Sequence, residues 1–248
     1  MFESAEAKKA SGGGGAKKDV SAESGIYLKS FICPVCGEES KIPAVKSSSI
    51  RLIRNEPDFM PVYEGPNPLL YAVSFCPFCG FAAMPAALKD LTKRQKKLIG
   101  EKIGATWNYK KHAQKEYDLS TAIELHKLAL YNAVVAGMKE SAKAILSLRI
   151  GWLYRLAGDE ASEKLFVATA LEGFERAYGS EPDPYGSLDK NSMQYLVGEL
   201  HRRMGNQSGA LKWFKLVLVD RLAKSKIKDM ARDQKDLIME TYGTEDAV

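Results

Sequence analysis

The chain has 248 residues, of which 45% are hydrophobic and 27% charged, and its formal net charge is +5. This composition is typical of a packed protein with one large domain or two modest ones. No run approaches the ~20 apolar residues that a bilayer-spanning helix needs, which excludes such a helix. The first residues, MFESAEAKKA, lack the apolar stretch of a signal peptide, so we expect a cytoplasmic protein with reduced cysteines.

Residues 1–25 are rich in Lys, Ala and Glu and contain four consecutive glycines, Gly12 to Gly15. They offer almost no apolar side chain for a core, so we interpret them as a disordered tail. From residue 26 to about residue 83 the composition changes to short β-prone runs at 26–32, 50–53 and 71–75, separated by Pro, Gly, Asn and Asp. This pattern predicts a small β module.

Four cysteines occur in this module, as CPVCG at 33–37 and CPFCG at 76–80. Two residues between paired cysteines let both sulfurs reach one ion from a tight turn. The proline stiffens the turn, and the glycine tolerates the positive φ that points backbone N–H groups toward sulfur. The motifs therefore predict one zinc ion bound by Cys33, Cys36, Cys76 and Cys79. A closed set of four thiolates leaves no open coordination position, which indicates a structural metal.

Two other interpretations of the cysteines stay open. Iron in a rubredoxin-like electron carrier uses similar paired loops, although we expect zinc. A dithiol redox pair fits less well, because a proline follows the first cysteine and the motif is duplicated. The spacer between the motifs is rich in aromatic and turn residues. It is either a recognition loop or a segment in which Phe59, Tyr63 and Tyr71 pack the β module or dock it on the first helix.

Beyond Pro85 the strand signals end, and apolar residues recur at helical spacing to the C-terminus. The spacing predicts helices at 86–116, 119–136, 139–157, 160–178, 190–204, 207–223 and 226–241, the first of them interrupted near Gly100 or Gly104. Gly137, Gly158 and Gly205 stand where left-handed helix ends are expected, and Asp159 and Asn206 follow the last two as N-caps. Such tight turns predict antiparallel neighbouring helices.

Two segments of the helical part are versions of one another, LRIGWLYRLAGDE and LVGELHRRMGNQ. Their glycines are equally spaced, and Arg155 in the first matches Arg202 in the second. Ala210 and Phe214 continue the second copy with the small and large residues of a tetratricopeptide helix pair. The period is longer than the ~34 residues of that repeat. We therefore predict irregular tetratricopeptide-like hairpins, with a plain helical bundle as the alternative.

The segments FICPVCG and DFMPVYEGPNPLLYAVSFCPFCGFAA, followed by the helices, resemble the uncharacterised bacterial proteins of domain-of-unknown-function family 2225. The resemblance covers residues 26–240 and implies a zinc-ribbon head, with the four cysteines as ligands, joined to a tetratricopeptide-like body. We accordingly predict an α+β protein with four parts. These are a tail at 1–25, a zinc-ribbon-like module at 26–85, an all-α helical repeat domain at 86–241 and a C-terminal tail at 242–248.

The sequence holds no phosphate-binding glycine loop, no HExxH and no GxSxG, and its three histidines are far apart. We therefore expect no enzyme but a cytoplasmic adaptor that binds a protein or peptide through its helices. The alternative is a nucleic-acid-binding protein, because basic residues are concentrated in 91–118 and 201–232. The candidate phosphate contacts are Lys93, Arg94, Lys96, Lys97, Lys102, Lys110, Lys111, Arg202, Arg203, Lys212 and Lys215.

Overall fold

The computed structural model describes residues 25–88, 91–108 and 116–243. The two predicted tails lie outside these residues, apart from Gly25 and residues 242–243. Within the described part, strands come first and helices follow, so the α+β class is confirmed. None of the described helices is both long enough and apolar enough to cross a membrane.

The strands form three separate antiparallel pairs in the described residues. The pairs are β1 (Ile26–Ile32) with β2 (Glu39–Val45), β3 (Arg51–Asn55) with β4 (Pro61–Glu64), and β5 (Ser74–Phe75) with β6 (Ala82–Ala83). The run predicted at 71–75 is a strand only at its end, because Pro68 begins a 3-10 helix that continues to Tyr71. The Asn67 side chain caps that helix by accepting a 3.0 Å hydrogen bond from the Leu69 N–H.

The helices of the described residues are α1 (Pro85–Leu88), α2 (Lys93–Lys102), α3 (Leu119–Val135), α4 (Glu140–Ala157), α5 (Glu160–Ser180), α6 (Lys190–Arg203), α7 (Gln207–Val219) and α8 (Ser225–Tyr242). From α3 onward they confirm the predicted helices to within a few residues. The helix predicted over 86–116 is divided: α2 ends at Lys102 and a 3-10 helix follows at Gly104–Thr106, which confirms the predicted interruption near Gly104. The second break, before Thr92, was not predicted, and residues 109–115 lie outside the described residues. Thr92 starts α2 with a capping box, in which the Gln95 N–H donates to Thr92 Oγ1 and the Thr92 N–H donates to Gln95 Oε1.

The turns between successive helices follow the predicted pattern. Gly158 and Gly205 have φ values of 73° and 77°, the left-handed conformation that a helix end requires. The next residues cap the following helices, since Asp159 accepts from the Ser162 N–H and Asn206 accepts from the Gly209 N–H. These turns place α4 against α5 and α6 against α7.

The internal repeat corresponds to these two helix pairs. A Cβ atom added at Gly151 of α4 would lie 3.1 Å from Val167 of α5, and one added at Gly198 of α6 would lie 2.7 Å from Phe214 of α7. In each pair a glycine therefore lets the second helix approach the first closely. The likeness to tetratricopeptide hairpins stays a prediction.

The strand region and the helices share their hydrophobic cores. Met60 and Leu69, from the segment between the cysteine motifs, are buried in the cluster formed by α4, α5 and α6. Three of the four cysteines belong to a second cluster with Ile99 of α2 and with Ile103. Strands therefore give way to helices near residue 85, but both kinds of element pack into the same hydrophobic cores.

We predict that Gly198→Ala destabilises the protein by about 1–3 kcal/mol, because the added methyl group overlaps the buried Phe214 ring. Gly179→Ala in α5 is the matched control, since nothing lies within 4 Å of its added methyl group. Alanine favours a helix over glycine, so this control should leave stability unchanged or raise it by up to about 1 kcal/mol. Urea unfolding measures both changes, and equal effects of the two substitutions would contradict the close packing of α6 on α7.

Candidate metal centre

The two CPxCG motifs form two turns of the same design, which we call the first knuckle (33–37) and the second knuckle (76–80). The first connects β1 to β2 and the second connects β5 to β6. In the first knuckle the Gly37 N–H donates to the Cys33 carbonyl (3.0 Å) and the Cys33 N–H donates to the Glu38 carbonyl (3.0 Å). The same two bonds recur in the second knuckle, from Gly80 to Cys76 (3.0 Å) and from Cys76 to Phe81 (2.7 Å). A local hydrogen-bond pattern thus fixes each cysteine pair.

The two knuckles meet, and all four cysteine sulfurs lie within 4.8 Å of one another. The first cysteine of each knuckle lies beside the second cysteine of the other: Cys33 Sγ is 3.6 Å from Cys79 Sγ, and Cys36 Sγ is 3.6 Å from Cys76 Sγ. Zinc–sulfur bonds of about 2.3 Å in a tetrahedron place neighbouring sulfurs about 3.8 Å apart. These two separations are close to that value, so the arrangement fits one tetrahedral metal ion.

The electrostatics of Cys76 and Cys79 also favour a cation. The hydrogen bond with Cys33, assisted by the one with Cys79, lowers the pKa of the Cys76 thiol. The pKa of the Cys79 thiol is raised, because its hydrogen bonds with Cys33 and Cys76 and its burial favour the neutral form. One thiolate thus suppresses ionisation of a neighbour. A bound divalent ion reverses this, since its charge stabilises every thiolate that it coordinates.

Side chains of the helical part hold the second knuckle in place, among them Trp107 and Asn132. The Trp107 indole Nε1–H donates to the Pro77 carbonyl (2.9 Å), and the Asn132 amide of α3 donates to the Gly80 carbonyl (3.1 Å). The Trp107 ring also covers Gly80, where an added Cβ atom would lie 2.4 Å from the ring. Gly80 has a φ of 69°, so both its backbone conformation and its contact with Trp107 require glycine.

The spacer between the knuckles is attached to the helical part by Asp58. This side chain is fully buried and accepts hydrogen bonds from the Trp152 indole (3.0 Å) and the Arg155 guanidinium (2.7 Å), both on α4. Arg203 of α6 lies 3.7 Å from the same carboxylate. Burial by itself raises the pKa of Asp58, but the hydrogen bond from Arg155 and the charge of Arg203 outweigh it, and the pKa is lowered. Asp58 is therefore a carboxylate at neutral pH.

Asp58 belongs to a larger group of paired charges. Arg155 also binds Glu163 of α5 at 2.7 Å. Glu199 of α6, itself fully buried, binds Arg202 at 2.7 Å and Arg203 at 2.8 Å. Three carboxylates thus face three guanidinium groups, so the charges balance. This clamp joins the spacer, α4, α5 and α6, and it engages two of the arginines predicted to contact phosphate.

The aromatic residues of the spacer pack inward in the same region. The Phe59 ring lies 5.3 Å from the Tyr195 ring of α6, and the Tyr71 ring stacks on Tyr117 at 5.4 Å. Phe59 and Tyr71 thus dock the spacer on the rest of the protein, as one of the two predicted alternatives stated. Their partners are α6 and Tyr117, however, and not the first helix. Sequence reasoning missed Asp58, Trp107 and Asn132 as contacts, because the partners of each are distant in the chain.

The histidines do not add to the cysteine site. His126 of α3 is fully buried, and desolvation lowers its pKa to about 4. His201 of α6 pairs with Glu175 at 2.9 Å, and His112 lies outside the described residues. Within the described ranges, the four cysteines are the one group of three or more His, Cys, Asp or Glu side chains with a metal-binding arrangement.

We predict that Asp58→Asn costs about 3 kcal/mol of stability at pH 7, because it removes the negative charge that compensates buried arginines. The lowered pKa of Asp58 means that its carboxylate stabilises the folded state above the ordinary carboxyl pKa of about 3.9, and that this stabilisation is lost as the pH falls through the folded-state pKa. The melting temperatures of the two proteins should therefore differ by a constant amount from pH 8 to 5 and converge below about pH 4.

The matched control is Asp229→Asn, which removes a carboxylate from an exposed pair with Arg232 on α8. Exposed pairs contribute little, so its melting temperature should stay close to that of the unmodified protein. Equal melting temperatures for both variants across the pH range would contradict the role of the clamp.

Comparison with known proteins agrees with the resemblance inferred from the two motifs. A family described as an uncharacterized protein conserved in bacteria, DUF2225, matches residues 26–238. Searches of curated proteins and of solved structures gave no match. The matched range includes both knuckles, the Asp58 clamp and most of α8. The chain therefore belongs to the DUF2225 family of bacterial proteins.

Proposed function

We propose that the four cysteines bind one structural zinc ion and that the protein is a non-catalytic scaffold for a protein partner. The observation that carries the first part is the convergence of the four sulfurs within 4.8 Å. Four thiolates complete the tetrahedral shell of zinc, which leaves no coordination position for a substrate or for activated water. The ion therefore stabilises the folded state of the protein.

The effect of the ion on the rest of the molecule follows from the contacts of the knuckles. Zinc joins the β1–β2 hairpin to the β5–β6 hairpin, and the second knuckle in turn binds Trp107 and Asn132. The ion thereby fixes the strand region relative to α3. A rigid junction of this kind suits a scaffold, because it presents the strand and helix surfaces in one orientation.

Exposed apolar side chains on the helices support a protein partner. Leu165 on α5 is 64% exposed, Val219 at the end of α7 is 65% exposed, and Leu222 before α8 is 91% exposed. Apolar groups of this size gain free energy when a partner removes them from water. We expect the adaptor surface to include these side chains.

The alternative of nucleic-acid binding depends mainly on α2. This helix carries Lys93, Arg94, Lys96, Lys97 and Lys102, and it packs Ile99 into the cluster that contains the cysteines. A basic helix next to the metal centre is therefore available for phosphate contacts. Arg202 and Arg203 are already bound to Glu199, and Lys110 and Lys111 lie outside the described residues. Retention on DNA or RNA that weakens steeply with salt would favour this alternative.

The zinc proposal predicts one zinc ion per chain, measured by mass spectrometry of the metals in protein from the native host. Replacing any one ligand, as in Cys36→Ser or Cys76→Ser, should lower the content below about half a zinc per chain after dialysis, because a three-thiolate site binds more weakly. The same variants should lose protease resistance in the strand region. Glu38→Gln, next to the first knuckle, is the control and should keep its zinc.

Two results would contradict this proposal. Iron in place of zinc, with the red colour of an iron–thiolate site, would indicate an electron carrier. Unchanged zinc content and protease resistance in a cysteine variant would show that the four sulfurs do not share one ion.

A further inference from the structure

A cavity of about 530 Å³ lies between the spacer and the helical part, away from the cysteines. One wall comes from β3, β4 and the 3-10 helix at Pro68–Tyr71, and the opposite wall comes from α4, α5 and α6. This volume is within the range of small-molecule sites. The Asp58 clamp fixes both walls, because Asp58 on the spacer is bound to Trp152 and Arg155 on α4.

Most of the cavity wall is apolar. Aromatic and aliphatic side chains contribute from both sides, among them Phe59, Leu69, Leu148, Trp152, Phe174 and Leu196. The cavity is not lined by any Asp or Glu side chain of the described residues. The apolar part of a ligand would therefore make extensive contacts here. A negatively charged group on the same ligand would meet no carboxylate in this wall that repels it.

Among the described residues, Arg149 of α4 is the charged side chain in a wall to which Asn55, Tyr63 and Ser187 also contribute polar groups. Its guanidinium is partly buried and forms no hydrogen bond or ion pair within the described ranges. Burial lowers the pKa of Arg149, and the Tyr63 phenol, which also lines the cavity, offsets this only in part. An arginine nonetheless stays protonated at neutral pH. The cavity therefore contains a positive charge without a counter-charge, whereas Arg155 on the same helix is bound to two carboxylates.

We propose that this cavity binds a small organic acid, whose carboxylate pairs with Arg149 and whose apolar body lies against Phe59 and Trp152. The planar guanidinium fork matches the two oxygens of a carboxylate. A phosphate monoester carries ≈ −1.5 to −2 charge at pH 7 and would need more than the single positive charge of this cavity. This ligand site is independent of the zinc proposal, because none of the four cysteines lines it.

The test uses the full-length protein and two fluorescent probes of similar shape. One is 8-anilinonaphthalene-1-sulfonate, which has an apolar body with one negative charge, and the other is the neutral N-phenyl-1-naphthylamine. The anionic probe should bind one per chain, and octanoate should displace it more effectively than octanol. Arg149→Gln should weaken binding of the anionic probe by about tenfold or more and leave the neutral probe unchanged, because it removes only a charge-assisted hydrogen bond.

Two further variants complete the test. Arg94→Gln, on the exposed side of α2, makes the same change of charge away from the cavity and should bind both probes like the unmodified protein. Ala72→Phe fills part of the cavity from the spacer side and should weaken binding of both probes. Unchanged binding of the anionic probe in Arg149→Gln, or unchanged binding of both probes in Ala72→Phe, would overturn the proposal. Equal displacement by octanol and octanoate would overturn the assignment to an acid.

Discussion

The convergence of four sulfurs from two distant knuckles is the constraint on which the rest of this structure depends. Cys36 and Cys76 are 40 positions apart, yet their sulfurs lie 3.6 Å from one another. The spacer must therefore leave the first knuckle and return to the same place. It does so as β2, the β3–β4 hairpin, the 3-10 helix at Pro68–Tyr71 and β5. Asp58 attaches the spacer to the helices. The sulfur cluster and the buried clamp are therefore two attachments that offset the entropy cost of closing this long loop.

Polar contacts join the cysteine site to the helical part. Asn132 donates a buried hydrogen bond to Gly80, and Trp107 both donates to Pro77 and covers the Gly80 backbone. Such contacts are directional, in contrast to the apolar clusters around them. They specify one orientation of the second knuckle on α3. The balanced charges around Asp58 have the same effect for the spacer, since an unpaired member would be costly to bury.

Features that arise from local chemistry could be predicted from the sequence. The two CPxCG motifs identified the four sulfurs, and the glycine and N-cap pairs at Gly158 and Gly205 gave the helices on either side to within a few residues. Strands β2 and β4 were missed because they contain Pro43 and Pro61, which count against a strand in the sequence, and β6 was missed because it has only two residues. Asp58 and Arg149 could not be assigned a role, because only the fold brings a counter-charge to the first and an apolar cavity to the second.

The central claim is that one ion occupies the space between the four sulfurs, and X-ray absorption at the zinc edge tests it most directly. We predict four sulfur neighbours at about 2.3 Å and no nitrogen or oxygen neighbour, because four thiolates complete the tetrahedral shell and are the ligands that the described residues bring together here. A spectrum with oxygen or nitrogen in the first shell, or with fewer than four sulfurs, would contradict it.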